Sequence, residues 1–125
     1  MNGQIIGQAE RSTRAVLDRL LDDHATTFEQ WVALNLAAGG GTREQITTRM
    51  TSALRLDKST VDALFAGPLF ADDTLTAAGR ERYHRIADGV AAITERLYCG
   101  IPAEDLATAA RVLTTVTERA DAELA

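Results

Sequence analysis

Cys99 is the only thiol in this sequence. It excludes an internal disulfide and fits a reducing compartment, so a cytoplasmic location is expected. Proline is scarce, with Pro68 and Pro102 alone, and aromatic residues make up only 5%. Long stretches are therefore free of helix breakers. No apolar run approaches the ~18 residues of a membrane span, and no charged-then-apolar leader is present, so neither a membrane nor a secreted setting is expected. Histidine occurs only as His24 and His84, too few and too far apart for metal-ligand spacing. Asp22-Asp23-His24 invites an acid–base reading, but no nucleophile or phosphate-cradling glycine loop lies near it. With no Ser/His/Asp cluster or paired carboxylates in a recognisable setting, neither an enzyme nor a cofactor is expected. Net positive charge is also missing: the chain carries −5. That argues against a nucleic-acid partner for the surface as a whole, although charge on one face matters more than the total.

What is present is helical periodicity. The 125 residues fit one domain, and 46% apolar content is ordinary for a globular protein. Ile5, Ala9, Thr13, Val16, Leu17, Leu20 and Leu21 share one face of a first helix that ends near Asp23 or His24. Its start is blurred by Gly3 and Gly7. Thr27-Phe28-Glu29-Gln30 is a capping box opening a short, buried second helix, which Gly39-Gly40-Gly41 stops. Thr42-Arg43-Glu44-Gln45 is a second capping box, and the helix it opens carries Ile46, Met50 and Ala53. After a turn at Leu54-Arg55-Leu56, Asp57 or Ser59 can cap a further short helix with Val61, Leu64 and Phe65 inward. Gly67-Pro68 ends it. Two short helices joined by a tight turn are a helix-turn-helix.

Leu69-Phe70 and Thr74-Leu75 then allow at most a clipped hairpin. From Ala77 to Cys99 an apolar stripe of Tyr83, Ile86, Ala87, Val90, Ile93, Leu97 and Tyr98 predicts one long helix, capped by Thr76 and roughly 30 Å in length. Gly100-Ile101-Pro102 breaks the chain, with proline suited to the first position of the last helix. That helix carries Leu106, Ala109, Ala110, Val112, Leu113, Val116, Ala120 and Leu124 on a stripe that needs a partner. The partner is either the first helix or a second chain.

In this order the segments TTFEQWVALNLAA, LDKSTVDAL, LTAAGRERYHRI and GIPAEDLATAARVLTTVTERADAEL resemble the MarR family of dimeric winged-helix regulators. Leu75, Thr76 and Gly79 stand where that family has its signature after the wing. The resemblance covers nearly the whole chain. It implies a mostly α winged helix-turn-helix, with residues 1–24 and 76–125 as dimerisation helices and residues 27–75 as the DNA-binding part. It also implies a homodimer on a palindromic promoter site, with Asp57 to Phe65 as the recognition helix. Arg43, Arg49, Arg55 and Lys58 would contact phosphate, and Lys58, Ser59 and Thr60 would reach bases. The alternative for the four cations is a solvated face with local ion pairs. Phe28, Trp31, Tyr83 and Ile86 would border a pocket for a small aromatic or anionic effector. Plain core packing is the alternative there. Cys99 is either a redox-sensitive thiol near the dimer layer or a small buried hydrophobe.

The chain departs from the family in two places. The connection from Pro68 to Asp73 holds no lysine or arginine and carries two adjacent acids, Asp72 and Asp73, where a DNA backbone would pass. Asp62 sits in the recognition helix where a neutral or basic side chain would help. From Thr42 to Ala66 four cations face three acids, a net +1. Phosphate neutralisation dominates non-specific affinity, so weak, salt-sensitive DNA binding is expected, or a dimer of the same scaffold that has lost DNA affinity.

Overall fold

The structure, a computed structural model, describes residues 1–72 and 74–125. Six helices and one small hairpin follow one another as α1 (Gly3–Asp23), α2 (Phe28–Ala38), α3 (Arg43–Ala53), α4 (Lys58–Phe65), β1 (Phe70–Ala71), β2 (Thr74–Leu75), α5 (Ala77–Tyr98) and α6 (Ala103–Leu124). The winged helix-turn-helix with a much shortened wing that the sequence implies is the observed fold. The chain divides within α5 into two compact units, Met1–Ala92 and Ile93–Ala125.

In the first unit the helix boundaries are set by local hydrogen bonds. Asn2 caps α1 by accepting from the Ile5 amide at 3.1 Å. Both capping boxes form: the Gln30 amide donates to the Thr27 hydroxyl and Gln45 to Thr42, while each glutamine side chain accepts from the cap residue's own amide. Gly40, at φ +90°, supplies the left-handed step that ends α2, and the Gly41 amide donates to the Leu36 carbonyl at 3.0 Å. Leu21, Leu34, Ile46, Met50, Val61 and Ile86 are almost wholly buried, so α1 through α5 all contribute to one core. Ala53, read from periodicity as apolar-facing, is exposed, and Leu64 is half-buried.

The hairpin pairs Phe70 with Leu75 and Ala71 with Thr74, in antiparallel register. Its first strand thus begins one residue later than the Leu69-Phe70 segment read from the sequence. The reason is that the Leu69 carbonyl is used elsewhere. It accepts from the Thr76 amide at 3.0 Å. The Thr76 hydroxyl donates to the Pro68 carbonyl at 2.8 Å and accepts from the Gly79 amide at 3.1 Å. One threonine therefore caps α5 and ties it to the chain entering the wing. Gly79 is buried against the same Leu69 carbonyl, and a Cβ there would overlap that oxygen. Asp73, the second of the two adjacent wing acids, lies outside the described residues.

The second unit holds the end of α5, a turn at Gly100 (φ +79°) and α6. Pro102 stands just before α6 rather than at its first helical position, and its carbonyl accepts from Asp105 and Leu106. Glu104 and Asp105 occupy the first turn, where the helix dipole favours negative charge. No residue of α6 is buried within the chain, and Val112, Leu113, Val116 and Leu124 are exposed. Cys99 is exposed as well.

Candidate nucleic-acid interface

Helix α4 presents two faces. Val61 and Phe65 are buried, and the Phe65 ring meets Phe70 of β1 at 4.9 Å between centroids, which fixes the helix to the wing. Lys58, Ser59 and Thr60, at its first turn, are exposed. In helix-turn-helix proteins that bind DNA, the N-terminal turn of the second helix is the part that contacts base edges in the major groove.

Asp57 holds this turn in shape. Its carboxylate accepts from the Thr60 amide at 2.8 Å and the Ser59 hydroxyl at 3.0 Å. Hydrogen bonds from the Thr60 hydroxyl, then the Thr60 amide, then the Ser59 hydroxyl hold its pKa below the ordinary 3.8. A lowered folded-state pKa makes the cap's contribution complete above the ordinary value and lost as pH falls through the lowered one. An NMR titration of the Thr60 amide is therefore expected to show its inflection below pH 3.8. An inflection at or above that value would mean the cap is not formed.

Arg43 is not a free cation. Its guanidinium lies 3.4 Å from the Asp62 carboxylate and 4.8 Å over the Phe65 ring centroid. The pair joins α3 to α4 across nineteen residues of sequence, not one helical turn. Arg43, Lys58 and Asp62 line one surface cleft of about 570 Å³ with Glu44, Thr47 and Thr48. Arg49 lies in a different cleft with Asn35, Leu36 and Gln45, toward α2. Arg55 is exposed in the α3–α4 turn with φ +56°, and no ion pair to Arg49, Arg55 or Lys58 occurs among the described residues. Of the four cations read from the sequence, the structure thus brings together Arg43 and Lys58. Thr47 and Thr48 were missed, though their spacing of three to five residues from Arg43 and Glu44 places them on the same face of α3.

The four candidate effector residues belong to one apolar cluster, as the core-packing alternative has it, with Phe28 and Tyr83 packed against the core. Trp31 and Ile86 are core, Trp31 stacking on Tyr83 with centroids 5.7 Å apart and planes 14° apart. Phe28 lies under the Arg14 guanidinium, 3.3 Å from its centroid. Tyr83 lines a cleft of about 390 Å³, whose other walls include Thr42, Thr74, Arg80 and His84. Arg80 donates to the Leu75 carbonyl at 3.3 Å, and the His84 ring meets Tyr83 edge-on at 5.3 Å. This cleft offers one guanidinium and two rings.

No family profile and no curated protein matches the chain. Among solved structures, a mutant of S. aureus MepR, a MarR-family regulator, superimposes with a TM-score of 0.70 at 16% identity, covering 95% of this chain and 98% of that one. A second MepR mutant, bound to an oligodeoxyribonucleotide, gives 0.56 at 17% identity over 93% and 95% of the two chains. At such identities the likeness establishes a shared fold.

Proposed function

We propose that the chain is a DNA-binding transcription regulator of the MarR type, acting as a homodimer on a palindromic site. The observation that carries this reading is the exposed first turn of α4, with Lys58, Ser59 and Thr60 held by the Asp57 cap on a helix anchored to the core through Phe65. Lys58 supplies the phosphate or guanine contact, and Ser59 and Thr60 the adaptable hydroxyls. The cleft at Arg80, Tyr83 and His84 runs from the α3 cap to the start of α5, so a small anionic aromatic ligand there touches both the helix-turn-helix and its support.

One specific feature favours a second reading. Each wing strand has two residues, and no lysine or arginine occurs from Pro68 to Leu75. A dimer of this fold that binds a ligand or partner and not DNA is the reading this feature supports.

A single titration separates the two. Random duplex DNA is bound at low and at moderate salt, with and without millimolar benzoate as probe. The regulator binds with a steep salt slope, which Lys58→Ala flattens by about one unit per chain and benzoate shifts. Arg49→Ala, on the α2 side of α3, changes it less. Absence of binding even at low salt overturns the regulator in favour of the second reading.

A further inference from the structure

We infer that Asp62 reads a cytosine in the major groove, so that this acid confers sequence choice and not merely a loss of affinity. The inference rests on the regulator reading above. Asp62 lies one helical turn after Lys58 on α4, and both line the cleft between α3 and α4. Its side chain is 46% exposed, and Arg43 holds it at 3.4 Å. Arg43 is in turn placed by the buried Phe65 ring beneath it. The carboxylate is therefore oriented from the core, and its charge is balanced before any phosphate comes near.

A carboxylate only accepts hydrogen bonds. Guanine and thymine offer it acceptors in the major groove, so both are repelled. Adenine offers a donor at N6 but places the acceptor N7 beside it. Cytosine offers the N4 amino group without that neighbour, and is the base an aspartate selects. Lys58, a donor only, has the opposite preference and suits the O6 and N7 acceptors of guanine. The paired donor and acceptor on one face of α4 thus favour a site with a C·G pair at a fixed place in each half.

The test is selection of bound sequences from a randomised duplex library at low salt, run with the wild type, Asp62→Ala and Asp62→Asn. The wild type is expected to enrich cytosine at one position in each half-site. Asp62→Ala loses that preference, about tenfold or more in relative affinity, while retaining or improving binding to unrelated DNA. Asp62→Asn moves the preference to adenine, whose N6 and N7 an amide pairs with. Asn also keeps an acceptor for Arg43, so folding is preserved, as circular dichroism would confirm. Selected sequences that are the same for all three proteins would overturn the inference and leave Asp62 as a structural partner of Arg43. No enrichment or binding by the wild type would remove the regulator reading, and this inference with it.

Discussion

Replacing Gly79 with alanine is expected to destabilise the first unit by about 3 kcal/mol, at the upper end of what an added methyl costs in a packed site. The added Cβ has nowhere to go. It would overlap the Leu69 carbonyl oxygen, a backbone atom that is already fixed by the Thr76 amide. Rotating a side chain cannot relieve the clash, because the obstacle is main chain on one side and the Leu75 side chain on the other. The first turn of α5 would have to lift off the wing. That movement would strain the Thr76 bonds to Pro68 and to the residue 79 amide. In thermal terms the loss corresponds to about 12–24 °C in the melting temperature of a unit of this size. Ala78→Gly is the control: it sits one residue earlier and exposed, and costs about 1 kcal/mol through helix propensity alone. Urea unfolding of both variants measures the difference. If the two cost the same, the close approach of α5 to Leu69 is not what holds this joint.

The same joint shows what was readable in the chain. Leu75 and Gly79 stood out only through the family resemblance, and the close approach of Gly79 to Leu69 was not read at all, whereas the Thr76 cap was legible because a cap obeys a short-range rule. The capping boxes at Thr27 and Thr42 and the glycine stop at 39–41 were legible for the same reason. The strand register was not, because the Leu69 carbonyl belongs to the contact with Thr76, which strand alternation does not report. The Arg43–Asp62 pair was invisible for a related reason. It spans nineteen residues, and spacing rules see only partners one turn away. Asp62 therefore read as a misplaced acid when the fold gives it a fixed cation. The effector residues were ambiguous for a different reason: Trp31 and Ile86 obey the same apolar periodicity as any core residue, and periodicity cannot separate a pocket wall from the core behind it. Tyr83, which stacks on Trp31 and also lines the cleft, belongs to both.

Val116→Asp is expected to have the largest effect on assembly, and through it on DNA. Leu106, Ala109, Leu113, Val116 and Ala120 recur along α6 at alternating steps of three and four, the spacing of a helix-packing seam. Within its own chain most of this seam is uncovered: Leu106 is half-buried, but Leu113 is 41% and Val116 44% exposed, and α6 has no buried residue. A second copy is the occupant that the homodimer reading assigns to it. Covering such side chains contributes up to about 1.5–3 kcal/mol each when burial is complete. A carboxylate in the middle of the seam instead carries a desolvation cost of several kcal/mol, so the dimer is expected to weaken by at least about a hundredfold. Sedimentation at micromolar concentration should show a dimer for the wild type and a monomer for Val116→Asp. Circular dichroism should show the helical content retained, because residue 116 is no part of the first unit's core. DNA affinity should fall by about 10²- to 10⁴-fold, since a monomer engages one half-site and loses the effective concentration that links two. A wild type that sediments as a monomer would remove the dimer. A monomeric variant that binds duplex DNA as well as the wild type would show that one recognition helix suffices, and that the α6 seam serves some other contact.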